Sequence, residues 1–438
     1  MDGAAHNHGK KAAGVKEYDV SQGQDLHSSC PVGGFFFALK NLPKGIFPIS
    51  LFGLFLGLST TMVYSQLSLF LKNELGASTS DILQLDGVVE FISFLTRIFS
   101  GPISDFLGER KVILYVGCFI TLFARSFIAV VGSWWSVLIV QSAERLGNGV
   151  QATPRDALIA DITPSNFHGR SYGFSRSLKT IGSFFGTLVA VQIMLFTSNN
   201  YRIVFGCAVI PVIISIFCLS KVKSPAELNL VTVKTAKSEN PFKRKYLKSL
   251  DVHFWKLMLL ALVFELGHFS EHTFPIYANN FLSTSWAGSV SSLVSAGQVL
   301  MSFPIGFLAD KYGRGKLLGV CMVIMMMANI SFMAAMYVNF CPVLFVYLGA
   351  FLWGGQMTAI QGLFLSLISE RVNEHLRATA IGIYFFILGA AYFIASAIAG
   401  KIWTTVGSNF AFLYSLMFSF LALSLRKLLL PKNADTVQ

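Results

Sequence analysis

"GPISDFLGERK", residues 101–111, breaks an apolar stretch with an acid, two glycines and a basic pair, and "GFLADKYGRGK", residues 306–316, nearly repeats it. Adding 205 to the numbering carries Gly101 to Gly306, Asp105 to Asp310, Gly108 to Gly313 and Lys111 to Lys316. A charged turn written twice in one register points to an internal duplication, and duplicated halves suit a membrane protein that rocks one half against the other.

The surrounding composition fixes the class. Hydrophobic residues make up 54% of the 438 residues, charged residues 13%, and 41 are Phe. Mean hydropathy is +0.61. A soluble chain would carry about a quarter charged residues. Apolar runs of the ~20 residues needed to cross a bilayer recur along the chain. They fall at 46–71, 82–104, 112–132, 134–157, 169–196, 201–220, 254–279, 285–308, 317–338, 341–368, 376–400 and 408–425. All are expected as helices, because backbone polar groups in hydrocarbon must be hydrogen-bonded internally. The expectation is an all-α membrane protein with twelve transmembrane helices in two six-helix repeats. Residues 46–220 and 253–425 would form the two bundles, with 221–252 as a central loop and 1–45 and 426–438 as tails. The first 45 residues lack the basic start, apolar stretch and cleavage site of a signal peptide. Single, scattered Cys residues imply neither a disulfide framework nor a paired-Cys metal site.

Lys and Arg orient the spans, since cytoplasmic loops retain positive charge. One set of loops and tails includes Lys16, Lys44, Arg110, Lys111, Arg170, Lys245, Lys316, Arg371 and Arg426. The opposite set holds Lys72, Arg202 and Lys401. These two ends of the bundle are called Lys-rich and Lys-poor below. Both termini are expected in the cytoplasm, in a cell inner membrane. The net charge of +12 follows from this asymmetry and from contact with anionic lipid, not from nucleic-acid binding.

On these residues the chain resembles the major facilitator superfamily. G-x-x-x-D-x-x-G-x-R-K and G-x-x-x-D-K-x-G-R-x-K look like its signature turn, and the twelve-span layout agrees over essentially the whole chain. "RLGNGVQATPRDALIAD", residues 145–161, resembles the fourth-span stretch of a bacterial branch, which usually has Lys and Arg where this chain has Asn148 and Gln151. The resemblance implies that Asp105 and Asp310, with Gly101, Gly108, Arg110, Gly313 and Arg314, latch one access state. Glu109 stands where the family often has a basic residue. Arg145 fits the family's R-x-x-[QN]-G, which implies a role in coupling or substrate contact. In the fifth span Gly173, Gly182 and Gly186 match an antiporter motif, but Thr187, Ala190 and Val191 replace its Pro and last two glycines.

Ionisable residues deep in a span are costly and usually face a cavity. At 100° per residue, Asp86, Glu90, Ser93 and Arg97 share one stripe of the second span. Gln141, Glu144, Asn148 and Gln151 share one in the fourth, with Arg145 at its edge. Arg176, Lys179, Ser183 and Gly186 group in the fifth, and Arg125 lies in the third. Structural ion pairs such as Glu90 with Arg97, or Glu144 with Arg176, are the plain alternative. Yet Glu90 and Glu144 face Arg97, Arg125, Arg145, Arg176 and Lys179, so full pairing leaves three cations in low dielectric. An anionic visitor would balance them.

The seventh span reads "FELGHFSEH", with Glu265, His268 and His272 on one helical face and Glu271 beside it. His268-x-x-Glu271-His272 formally matches a zinc-peptidase signature but lacks an identified third ligand. Metal binding, proton titration and plain hydrogen bonding all remain open, with proton titration favoured because His changes charge near neutral pH. Gln298, Gln356, Gln361 and Tyr384 are candidate uncharged lining. In the N-terminal tail, His6, His8, His27 and Cys30 could bind metal, but their spacing is loose and the signal poor.

These residues lead to the expectation of a monomeric, proton-coupled secondary transporter of a small anionic organic solute, working by alternating access without a cofactor. Carboxylates, organophosphates and citrate-type siderophores qualify. Substrate contact is expected at Arg145, Arg176, Lys179, Glu144, Arg97 and Gln361, and proton coupling at Glu265, His268, Glu271, His272 and Glu90. Efflux of drugs or divalent metals is the alternative within transport. A membrane metallo-hydrolase or a transporter-like receptor is the alternative from another class.

Overall fold

The computed structural model describes residues 45–107, 109–163, 168–222, 250–338, 340–372 and 374–430. Among them every regular element is helical, in twelve crossing segments. The first six are Ile46–Asn73, Thr79–Leu107, Arg110–Ile128, Trp134–Asp161, His168–Phe196, and Tyr201–Cys207 continued by Val209–Ser220. The seventh comprises Val252–Glu265, a 3₁₀ turn Glu271–Thr273 and Phe274–Ala278. A short helix, Thr284–Ala287, precedes the eighth, Val290–Tyr312. Arg314–Tyr337, Pro342–Arg371, Glu374–Thr405 and Ser408–Leu429 complete the set.

Eight of these segments are long and apolar enough to cross a bilayer by themselves. The second, fourth, seventh and eighth fall short of that measure. The second and fourth each carry several charges within the span (Asp86, Glu90 and Arg97; Glu144 and Arg145), and the seventh is interrupted. Large apolar side chains such as Phe119, Phe123, Ile139, Phe196 and Phe217 stand on the outer surface. A lipid environment explains such a surface, which would be anomalous in water.

The duplication read from the repeated turn recurs as a contact pattern. In the first six segments the packed pairs include first–fifth, second–fourth, third–fourth, first–sixth and third–sixth. The same pairs recur as seventh–eleventh, eighth–tenth, ninth–tenth, seventh–twelfth and ninth–twelfth. Between the halves the second segment packs on the eleventh and the fifth on the eighth.

Glycine sets the closest seams, because van der Waals contact holds helices together in lipid and small residues let backbones approach. A Cβ at position 182 would stand 2.0 Å from the Leu54 carbonyl oxygen, and one at 186 would stand 2.2 Å from that of Leu58. The fifth-span glycines therefore build a seam with the first span. Eighth and tenth meet in the same way, a Cβ at Gly354 falling 2.0 Å from the Val294 carbonyl oxygen.

The seventh span departs from its expected form. Its helix stops at Glu265, so Glu265, His268 and His272 do not share a helical face. Three local features end it. Gly267 lies where a Cβ would stand 2.8 Å from Phe418 Cβ, Ser270 Oγ caps the His272 N–H at 3.2 Å, and Pro275 opens the next helix. The freed Leu266 carbonyl accepts from Tyr414 Oη at 2.6 Å, which keeps irregular backbone tolerable inside a membrane protein.

Candidate functional site

Two polar regions lie inside the bundle. At ~1.5 Å per residue along the second span, Asp86 is ~10 Å from the Lys-poor end and Arg97 ~27 Å from it. The first region surrounds Asp86 and the second surrounds Arg97.

Around Asp86 the carboxylates are in excess. Arg125, fully buried, is ion-paired and hydrogen-bonded to Glu144, which also accepts from Asn148 Nδ2 at 3.3 Å. Arg145 Nη2 lies 3.4 Å from Glu90 Oε2, and its guanidinium sits 4.4 Å from the Tyr64 ring centroid. Tyr64 donates to Gln141 Oε1 at 2.8 Å, and its ring lies 4.7 Å from that of His272. Asp86 Oδ2 accepts from Ser270 Oγ at 2.5 Å and from Tyr392 Oη at 3.0 Å. Its other oxygen lies 3.6 Å from His272 Nε2. Glu271 Oε2 is buried with no hydrogen-bond partner among the described residues. Asp86, Glu90, Glu144 and Glu271 thus outnumber Arg125 and Arg145 by two.

These pairings differ from the two ion pairs offered by the sequence as the plain alternative. Glu90 meets Arg145 instead of Arg97, and Glu144 meets Arg125 instead of Arg176. A residue shares its own helix face by spacing, but its partner is chosen by whichever neighbouring helix that face meets. Arg145 therefore already has a carboxylate. His268 belongs to a separate group, its Nδ1 3.6 Å from Glu265 Oε2 and its Nε2 3.4 Å from Gln356 Nε2. Among the described residues no three His, Cys, Asp or Glu side chains converge as a metal site. The N-terminal His6, His8, His27 and Cys30 lie outside the described residues.

Around Arg97 the cations are in excess. Lys179 feels the charges of Arg155, Arg97 and Arg176. Arg97 Nε is buried without a hydrogen-bond partner among the described residues, its guanidinium 5.4 Å from the Phe94 ring centroid. Arg155 pairs with the exposed Asp156 at 2.9 Å. Among the described residues, Arg97, Arg155, Arg176 and Lys179 thus outnumber Asp156 by three, with Glu90 a further carboxylate acting on Arg97. The Lys179 carbonyl, however, presses on the first span, 2.4 Å from where a Gly57 Cβ would be. Part of the fifth-span stripe is therefore a packing seam. Gln151 serves packing too, donating to Thr121 Oγ1 at 3.1 Å. Gln361 is half-buried.

The repeated turns meet acids at the end of the fourth helix of each half. Arg110 Nη1 is 2.7 Å from Asp161 Oδ2, and Arg314 pairs with Glu370. Gly313 has φ +95°, the left-handed region that favours glycine. Gly108 lies outside the described residues, and the side chain of Asp105 or of Asp310 is not among those described.

Sequence reasoning missed Tyr64, Ser270 and Tyr392, and placed Asp86 on its stripe without a role. Only the acid in a span was a signal; the hydroxyl groups are ordinary in apolar helices. Gln66 was also missed: both its amide atoms are buried without partners, against Gly288.

Known proteins share this architecture. The model of the family described as Major Facilitator Superfamily matches residues 49–284 and 272–437. An uncharacterised transporter of that type from Methanocaldococcus jannaschii is 24% identical over 393 residues, covering 87% of this chain and 94% of its own. A probable 4-methylmuconolactone transporter from Cupriavidus pinatubonensis is 22% identical over 293 residues, 65% of this chain and 66% of its own. A solved D-xylose–proton symporter aligns with TM-score 0.70 at 15% identity, over 92% of this chain and 100% of that one. A nucleoside transporter aligns with TM-score 0.72 at 12% identity, over 89% and 100%. Likenesses this distant bear on fold alone.

Proposed function

The chain belongs to the major facilitator superfamily and is a membrane transporter, not an enzyme, and on that premise we propose that it carries a small anionic organic solute coupled to protons. The observation that carries this reading is the basic region. Among the described residues these four cations have Asp156 as their one close carboxylate, with Glu90 acting on Arg97 from further off. Arg176 is exposed and the other three are partly buried, so the excess positive charge is open to a visiting anion. A di- or tricarboxylate or a phosphate ester supplies the missing charge. Arg97 and Arg176 suit it through paired, charge-assisted hydrogen bonds, and Lys179 acts as a point charge. Protons supply the opposite deficit, in the acid-rich region and at the Glu265–His268 pair.

The remaining elements follow from that reading. The Lys-rich end faces the cytoplasm of a cell inner membrane, both termini lie there, and the two six-helix bundles rock as a monomer. The Arg110–Asp161 and Arg314–Glu370 pairs, with the turns carrying Asp105 and Asp310, hold the Lys-rich end in one access state.

Counterflow and accumulation in proteoliposomes test the function. Labelled citrate, other carboxylates and phosphate esters are offered beside xylose and a cationic drug, with and without an inward-acid gradient. The expected result is gradient-driven accumulation of an anion. Glu265→Gln, His268→Gln and Glu271→Gln should abolish accumulation yet spare exchange, which needs no net proton release. Accumulation of only a neutral or cationic solute, with no proton movement, would sink the reading.

A further inference from the structure

Asp86 is bound mainly by the opposite half of the molecule. Ser270 and Tyr392, which donate to its Oδ2, lie 184 and 306 residues away in sequence. His272 Nε2 faces the remaining oxygen at 3.6 Å. Ser270 and His272 belong to the unwound stretch of the seventh span, where no continuous helix holds them. We propose that Asp86 and His272 form a gate at the Lys-poor end that takes up one proton as the two halves close there and releases it as they part. This deepens the proton-coupled reading above and rests on it.

The surrounding charges decide why a proton is needed. Arg145 from the fourth span is matched by Glu90, and Arg125 from the third by Glu144. Neither cation is spare for Asp86. Glu271 adds a second carboxylate next to the gate, one oxygen of it unpartnered. Tyr64 from the first span and Tyr392 from the eleventh are neutral donors, and His268 is turned to Glu265. His272 is thus the titratable base adjoining Asp86. With its imidazole neutral, closing the halves buries Asp86 and Glu271 as like charges offset only by Arg145, which is already paired with Glu90. With its imidazole protonated, closing makes an ion pair. Acidification therefore favours the closed end, and alkalinisation opens it.

The test reads the gate without solute. Spin labels at Lys72→Cys and Ser283→Cys, both exposed at the Lys-poor end, report its width in a background with the native cysteines replaced by serine. Between about pH 8 and about pH 5, spanning the histidine range, the distance distribution of the parent should move from a longer to a shorter population. His272→Gln and Asp86→Asn should lose that pH response. Tyr392→Phe should keep it with altered populations, as a merely supporting hydroxyl would. A parent distance that ignores pH, or a response that survives in His272→Gln, overturns the gate; His272→Gln alone decides if Asp86→Asn does not fold. The two readings fail separately. Solute movement without proton movement overturns proton coupling, whereas proton-coupled uptake with a pH-insensitive distance overturns the gate alone.

Discussion

The two polar regions of the bundle are near mirror images in charge. Around Asp86, four carboxylates meet two arginines, each arginine bound to a carboxylate. Around Arg97, four cations meet one carboxylate at the surface. Along the second helix their centres are ~16 Å apart, with Glu90 between them acting on both Arg145 and Arg97. A low-dielectric interior does not leave such deficits unmet. On the proposed function, protons fill one and an anion the other. On that proposal, coupling rests on two opposite imbalances along one helix and not on one shared site.

Breaking a matched pair should have the largest effect. Arg125→Gln leaves Glu144 buried without its cation, and losing one partner of such a pair costs ~3–5 kcal/mol. A large fall in thermal stability in detergent is expected, partly recovered by Arg125→Met with Glu144→Leu. A small shift in Arg125→Gln would show that the acid-rich region is better solvated than the comparison requires.

In the basic region, Arg97→Gln or Arg176→Gln should barely change stability, because each removes an unmatched charge. Each should instead weaken anion binding by ~2–5 kcal/mol, a thirtyfold or greater loss of affinity, with Lys179→Gln milder. Titration calorimetry with the transported anion checks this. Because Arg145 is held by Glu90, Arg145→Gln should act more weakly than either. Equal affinity in all four variants would remove the distinction between the regions.

The smallest effect belongs to the turns at the Lys-rich end. The Arg110–Asp161 and Arg314–Glu370 side chains are partly exposed, and exposed ion pairs contribute ~0–1 kcal/mol. Arg110→Gln or Arg314→Gln should shift the balance of access states by a few-fold at most, read by alkylation of cysteines placed at either end. A shift larger than tenfold would make these turns, and not the interior regions, the dominant switch.

Much of this was legible in the chain before any coordinates. Hydropathy marks helices because the bilayer demands internal backbone hydrogen bonds at every position. The repeated turn marks the duplication because residues 101–111 and 306–316 keep one register. Helical spacing put Asp86 and Glu90 on one face. All of these are properties of a segment and its immediate neighbours.

Tertiary structure decided the rest. Glu90 could reach Arg97 on its own helix, yet it meets Arg145 on another. Glu144 had Arg176 as a plausible partner and took Arg125. The unwinding after Glu265 depends on Phe418 crowding Gly267 and on Tyr414 satisfying the Leu266 carbonyl, both from the twelfth span. Asp86 gained its hydrogen-bond partners from Ser270 and Tyr392, hydroxyl groups that carry no signal in an apolar helix and lie 184 and 306 residues away. Periodicity states which residues share a face. Which other face that one meets is fixed by how helices distant in sequence pack, and a local pattern holds no record of it.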